Sequence, residues 1–394
     1  YSQELKQAKE SIYSAEYEQK AAFTGYLPQI AISANASYDF MPGTFLGNNL
    51  KPFNYAVDAG LTQSIYAGGA LRAQNRISDI NVEISKLSEQ LTIEEILYHA
   101  DVIYWQTALC NQMMQNAETY YKIVEELFNI INIRFDDGLV SKSDLLMVNT
   151  RLKEAELLLN EATRTASISN QYLNILMGIP VDHKVEITDK IDTAVEMPDL
   201  QNLNDILQQR KEYQILDAHI AMQQMNVKAI KAKYNPTIVA GVNFGWGTPT
   251  FNTTGKAGFG SAAIASFNYP ILQWGRKKYE AKAADIEINK LNFEKVILTD
   301  QINNELSTAW INLNDNSKRI EIAKENLSVA TENMEINVLR YNDGLATILD
   351  VLSAQLSWIQ ANNNTAEAEF GFKVSVADYK LANGNKNVKK IIIR

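Results

Sequence analysis

The sequence predicts a mainly α-helical protein with four β-strands per chain, built from two copies of one unit. Three observations carry that reading. The run Arg134-Phe135-Asp136-Asp137-Gly138-Leu139 returns as Arg340-Tyr341-Asn342-Asp343-Gly344-Leu345, 206 residues on in a chain of 394. A period that long means duplication of a large unit. Before each copy, apolar residues step by three and four over many turns, the pattern of a coiled-coil seam. Between the helical stretches, four short segments change to period two, which is the strand period.

The first unit spans 1–180. Residues 2 to 25 read as a helix that ends at Gly25-Tyr26-Leu27-Pro28, because the residue before proline is pushed out of helical geometry. A strand follows at about 30–40: Ile30, Ile32, Ala34, Ala36, Tyr38 and Phe40 alternate with Ser33, Asn35, Ser37 and Asp39. Residues 41–52 read as a loop marked by Pro, Gly and Asn. A second strand covers about 53–66, with Phe53, Tyr55, Val57, Ala59 and Leu61 on one face. From about 70 to 135 the period is helical, with Ile77, Ile80, Ile84, Leu87 and Leu91, then Tyr120, Val124, Leu127 and Ile131 on the seam. Some 65 residues at ~1.5 Å each make a rod of roughly 100 Å, which suits a tunnel, stalk or spacer better than a globular domain. Gly138 then suits the left-handed residue that ends a helix. Ser141 suits the next N-cap, and Asp144 suits its third position, where a carboxylate meets free amides and the helix dipole. The return helix is expected over 142–177.

Residues 181–204 are mixed and punctuated by Pro198, and read as a small insert between the units. The second unit, 205–384, repeats the plan. A helix runs from about Leu203 to Lys233 and stops at Tyr234-Asn235-Pro236. Strands follow at about 237–247 and 258–271, the second less regular because Ile264 breaks the alternation. A long helix covers about 275–341, with Ile320, Ala323, Leu327, Ala330 and Met334 on its seam. Thr347 and Asp350 repeat the cap, and a return helix covers 347–382. Residues 385–394 form a basic tail that ends in three isoleucines and Arg394. Tyr1 corresponds to about Gln209, so the natural N-terminus is expected to lie upstream.

Composition narrows the function. The net charge is −9 with no basic stripe, which argues against a nucleic-acid partner. One cysteine, Cys110, excludes an intramolecular disulfide framework and is expected to be buried. No apolar run reaches the roughly 18 residues of a spanning helix. His99, His183 and His219 are far apart, with no helical pairing and no cysteine cluster, so no metal site is expected. Gly255-Lys256 lacks the rest of a phosphate loop. Glu94-Glu95 and Glu125-Glu126 read as solvated helix faces, and no nucleophile–base pair stands out. No cofactor and no enzymatic activity are expected.

The four strands are about ten residues long, apolar on one face and polar on the other, with aromatics near their ends. Transmembrane barrel strands have that pattern. Tyr38, Phe40, Phe53, Tyr55, Trp246, Phe259, Phe267 and Tyr269 would form the aromatic girdle. A soluble sandwich with its apolar faces packed together fits the same alternation. Four strands cannot close a barrel, so closure needs more than one protomer.

The duplicated helix–strand–strand–helix order, both Arg-x-x-Asp-Gly-Leu turns with their trailing Asp144-Leu145 and Asp350-Val351, the pair Gln63-Ser64-Ile65-Tyr66-Ala67-Gly68-Gly69 and Tyr269-Pro270-Ile271-Leu272-Gln273-Trp274-Gly275, and Leu173 to Pro180 together resemble the TolC-type outer-membrane efflux proteins. The resemblance covers nearly all of 1–384. It implies a homotrimer with a long coiled-coil α-helical barrel, and a twelve-stranded transmembrane β-barrel in the outer-membrane bilayer. The helices would make a periplasmic tunnel belted by 181–204 and the C-terminal tail. Arg134, Asp137, Gly138 and Leu139, with Arg340, Asp343, Gly344 and Leu345, would lie at the periplasmic tip. There they would meet a periplasmic adaptor (membrane fusion) protein and an inner-membrane pump such as an RND or ABC transporter.

The same resemblance places Asp350 in an acidic ring at the entrance, with Ser353 where the best-known member has a second Asp and Ala346 where it has a locking Arg. Three Asp350 carboxylates around an axis would repel, raise their pKa values and attract cations. Helix capping accounts for Asp350 and for Asp144 equally well, and the two roles are compatible. The implied function is a passive exit duct for small molecules such as drugs. Export of polypeptides or metal ions is the nearer alternative, and a soluble coiled-coil assembly protein is the more distant one.

Overall fold

The computed structural model describes residues 3–183, 185, 187 and 202–384. In chain order the first half contains α1 (Gln3–Thr24), β1 (Gln29–Tyr38), β2 (Thr44–Phe45), β3 (Asn48–Asn49), β4 (Phe53–Ala67), α2 (Ala70–Asp136) and α3 (Lys142–Met177). The second contains α4 (Leu203–Gln209), α5 (Lys211–Ala232), β5 (Thr237–Gly247), β6 (Gly258–Asn268), α6 (Arg276–Asn342) and α7 (Ile348–Ala382). Most of the insert expected at 181–204, and the tail at 385–394, lie outside the described residues.

The chain forms two compact units, one of residues 8–89 and 214–297, the other of 1–7, 90–213 and 298–394. The first holds a four-stranded antiparallel sheet in the order β1-β4-β5-β6. Its register aligns the apolar residues of all four strands. Ile30 faces Leu61, which faces Val242, which faces Ala263. Ala34, Val57, Trp246 and Phe259 form another row in the same way. The opposite face carries Ser33, Asp58, Gly245 and Gly260 in one row. A bulge between Ser64 and Tyr66 shifts the register of β4 by one residue. The extra residue sets Tyr66 opposite Ile238, and so in the apolar row that ends at Phe267.

The stretch expected to be an open loop at 41–52 carries the small hairpin of β2 and β3. The Phe45 ring stacks on Phe251 of the other hairpin loop, with centroids 3.9 Å apart and planes at 6°. Two strand ends also need correction. β1 stops at Tyr38 and β6 at Asn268, which leaves Phe40 and Tyr269 of the expected girdle just outside the strands.

The second unit is helical. The helix expected from Leu203 to Lys233 is two helices, broken at Arg210, which has extended backbone (φ −65°, ψ 126°). The reason is the Arg210 side chain, only 8% exposed. It donates to both Glu212 oxygens at 3.1 and 2.9 Å, to Glu305 at 3.0 Å, and to the carbonyl of Ala382 at 3.2 Å. That last bond supplies a donor and a positive charge at the C-terminus of α7, where the helix dipole favours a cation. Ile206, Ile302, Leu313, Phe372 and Tyr379 pack in one core cluster of this unit. Cys110, in the same unit, is also buried.

Candidate functional site: the tip turns and the apolar strand face

Both copies of the duplicated turn fold alike. Gly138 and Gly344 take φ values of 73° and 75°, the left-handed region that costs a Cβ-bearing residue roughly 1–2 kcal/mol. Leu139 N–H donates to Arg134 O at 2.8 Å and Gly138 N–H to Phe135 O at 2.9 Å. In the second copy Leu345 donates to Arg340 at 2.7 Å and Gly344 to Tyr341 at 3.1 Å. These paired bonds satisfy the last carbonyls of the long helices in a Schellman ending. Leu139 and Leu345 are both exposed.

The next helices start with reciprocal caps. Ser141 N–H donates to Asp144 Oδ2 at 3.2 Å, while Asp144 N–H donates to Ser141 Oγ at 3.1 Å. In the second copy Thr347 N–H donates to Asp350 Oδ2 at 2.7 Å, and Asp350 N–H to Thr347 Oγ1 at 3.3 Å. The capping reading therefore holds for both aspartates. The hydroxyl and backbone N–H of Thr347 hold the Asp350 carboxyl below its ordinary pKa, with Arg340 helping. Within the protomer that is opposite to the rise expected from a crowded ring. Asp350 is exposed, and so are Ser353 and Ser357 along the same side of α7. Asp144 is half-buried. Val351 and Leu352 point the other way, into a core with Leu127, Ile131 and Val148 that joins the two helical hairpins.

The two arginines part company. Arg134 crosses to the other turn, donating to Asn342 Oδ1 at 3.3 Å with its guanidinium 5.4 Å from the Tyr341 ring centroid. Arg340 instead donates to Leu345 O at 3.3 Å within its own turn. Asp137 and Asp343 give up their backbone N–H groups to Ile133 and Leu339.

In the sheet unit the aromatic residues expected to form a girdle fall into two groups. Tyr38, Phe53, Tyr55, Trp246 and Phe259 lie toward one end of the strands, with the Tyr55 and Trp246 rings 5.6 Å apart. Phe267 lies at the other end with Tyr66, a residue the sequence reading left out. Ile238 and Trp246, eight residues apart on β5, mark these two ends, and the strand between them is about 27 Å long. A tilt near 40° makes that roughly 20 Å of depth, close to the apolar band of a barrel. The face is bare: Ile30 and Ile32 are each 76% exposed and Phe259 92%. No helix of the described residues is long and apolar enough to cross a membrane.

Residues 1–179 and 202–377 match the family described as outer membrane efflux protein. The chain belongs to that family. TolC of Escherichia coli is 20% identical over 388 residues, covering 93% of this chain and 76% of TolC. The toluene efflux pump outer membrane protein TtgC of Pseudomonas putida is 22% identical over 294 residues, covering 72% of this chain and 58% of TtgC, so the chain spans less than two thirds of that relative. The fold is that of the Campylobacter jejuni CmeC outer membrane channel, with a TM-score of 0.81 at 18% identity over 98% of this chain and 83% of that one. The Neisseria gonorrhoeae MtrE outer membrane channel gives 0.80 at 17% identity over 97% and 86%.

This efflux protein is thus an outer-membrane protein of an export-duct family, one of channel proteins rather than enzymes. Two of its structural features had no signal in the motifs. Arg210 sits in an ordinary helical context, and its role follows from partners 2, 95 and 172 residues away. Asn252, 2% exposed, ties the two hairpin loops by donating to Phe53 O at 2.9 Å and accepting from Lys51 N–H at 2.6 Å through its backbone carbonyl.

Proposed function

We propose that three copies of this chain join edge to edge, β6 of one against β1 of the next, into a twelve-stranded barrel across the outer membrane. The helical hairpins then form the periplasmic duct, and the turns at Gly138 and Gly344 dock a periplasmic adaptor that couples the duct to an inner-membrane pump. The chain is the passive exit conduit, and small apolar or drug-like molecules are its cargo, in line with the toluene named for the Pseudomonas relative.

One observation carries this reading: a sheet face that is apolar and, among the described residues, bare, bounded by two edges, β1 and β6, that no other described strand pairs. In water both features are liabilities, since open edges pair with other chains and apolar faces aggregate. Lipid over the face and a second copy at each edge remove both, because a closed barrel has no edge. A soluble sandwich would instead need a second layer over Ile30, Ile32, Phe244 and Phe259, and the described residues supply none. Exposed Leu139 and Leu345, presented at equivalent places by the two turns, suit a repeated contact with adaptor copies. Asp350 and Ser353, exposed on one side of α7, suit an entrance lining.

The test is the mass of protein extracted from membranes in mild detergent, corrected for bound detergent. A particle of three protomers that precipitates on detergent removal is the expected result. A monomer or dimer that stays soluble without detergent would overturn the channel reading.

A further inference from the structure

Along β1, β4, β5 and β6, Asp58 is the one residue with an acidic or basic side chain. It lies on the face opposite the apolar rows, in the row Ser33, Asp58, Gly245, Gly260. Its surroundings are made for it. A Cβ at Gly245 would collide with Asp58 Oδ1, so the carboxylate lies across β5 where the backbone is bare. A Cβ at Gly60 would likewise fall 2.5 Å from Asn243 Oδ1. Two polar side chains thus lie flat against the wall in slots that glycine leaves open. Asp58 is half-buried there, although nothing among the described residues covers the sheet. The neighbouring depression, about 600 Å³, is also bordered by Lys256 from the loop after β5. Lys256 makes no ion pair with Asp58 among the described residues.

We propose that Asp58 is the charge-selecting residue of the exit barrel: three copies line the lumen as a carboxylate ring that favours cationic solutes over anionic ones. The inference rests on the trimeric barrel proposed above. Gly245 and Gly260 keep bulk out of the lumen at that level, so the ring adds charge without narrowing the path. This is selection by field and not by fit, which suits a duct that must pass varied solutes. Lys256 stands at the loop end of the same wall and opposes the ring from a wetter position. Three charges about 10 Å from the axis, cut by one Debye length at 0.1 M salt, enrich monovalent cations about twofold and deplete anions as much. The cation-to-anion permeability ratio is then raised about fourfold.

The experiment is the reversal potential of purified protein in planar bilayers under a KCl gradient, for wild type, Asp58→Asn, Lys256→Gln and Gly245→Ala. Each is measured with Asp350 intact and as Asp350→Asn, so that charge at the entrance is separated from charge at the exit. Asp58→Asn is expected to lower the permeability ratio about fourfold with little change in conductance, and Lys256→Gln to raise it. Gly245→Ala is expected to raise the selectivity somewhat and lower the conductance, because the carboxylate is pushed off the wall toward the axis. An unchanged reversal potential for Asp58→Asn in both Asp350 backgrounds, with trimers inserted, overturns the proposal. Wild-type protein that yields neither trimers nor pores overturns the barrel itself, which is a different failure.

Discussion

Val242 offers a sharp test of the membrane face, because its depth and direction are both fixed by register. It pairs with Leu61 and Ala263 in an apolar row, four residues along β5 from Trp246 and four from Ile238. Those two positions mark the aromatic ends, so in the proposed barrel Val242 would lie at mid-depth, roughly 10 Å from either end once strand tilt is included. Val57 shares the same face but pairs with Trp246, in the aromatic row itself. An arginine at the bilayer midplane costs about 2–4 kcal/mol per chain, against about 0–1 near the interface. Val242→Arg should therefore cost a trimer about 6–12 kcal/mol if the three sites add, and Val57→Arg a few kcal/mol at most. Asn243→Arg is the control: one residue on, it points to the other face opposite Gly60, where water fills a barrel. The assay is the yield of trimers in the outer-membrane fraction, followed by urea melts of protein refolded into lipid vesicles. Val242→Arg should be nearly absent, while Val57→Arg and Asn243→Arg assemble. Equal loss for all three, or equal tolerance, would refute the assignment of face and depth.

Two further outcomes follow from the helical unit. Arg210→Met strips three partners at once: Glu212 and Glu305 are left as neighbouring carboxylates, and Ala382 O loses its donor. Breaking a buried pair costs about 3–5 kcal/mol. Because Glu305 is 55% exposed, the expected loss is nearer 2–3 kcal/mol, read as a lower urea midpoint at constant slope. Arg210→Lys should recover only part of it, since one ammonium cannot reproduce the fork. Asp350 should titrate below its ordinary 3.8, followed through its labelled side-chain carboxyl. A folded pKa that is depressed gives stability fully present above the unfolded value and lost as pH falls through the folded one. Cap stability at this helix should therefore be unchanged from pH 7 to about 5 and fall below about 4. Thr347→Val should bring the carboxyl back toward its ordinary range. A wild-type value above 3.8 would show instead that crowding around the axis outweighs the cap.

Much of the fold is legible in the residues because the elements are long and their periods clean. The seam residues Tyr120, Val124 and Ile131 are buried as their spacing required. Gly138, Gly344, Ser141 and Thr347 act where turn chemistry put them, since a left-handed residue and an N-cap are local demands. What escaped was non-local. Nothing in Gln208-Gln209-Arg210-Lys211 announces a break, because the break is enforced by a carboxylate on α6 and a carbonyl at the end of α7. Tyr66 fell out of the girdle because strict alternation sets it on the wrong face, and only the bulge before it restores the register. The stretches joining β1 to β4 and β5 to β6 lie about 200 residues apart in sequence, yet each supplies the other's partner through Phe45 and Phe251.

The duplicated turn shows how far local identity reaches. Both copies carry the same Arg, Gly, cap and carboxylate, and both build the same backbone bonds, since those depend only on neighbours in sequence. The residues between differ: Phe135 and Asp136 in one copy, Tyr341 and Asn342 in the other. That difference decides the arginines. Tyr341 offers Arg134 a ring face and Asn342 offers it an amide oxygen, so Arg134 is drawn across to the second turn. In the first turn, the Phe135 ring is covered instead by the Lys142 ammonium, 5.0 Å from its centroid, and Arg340 folds back on its own backbone. Of the two turn arginines, Arg134 alone bonds across to the other turn among the described residues. The cap carboxylates diverge likewise, Asp350 exposed beside Ser353 and Asp144 half-buried. A duplicated sequence thus yields one turn that reaches and one that receives. This asymmetry gives two copies of a single motif different side-chain contacts: the first turn reaches across through Arg134, and the second leaves its cap carboxylate, Asp350, exposed.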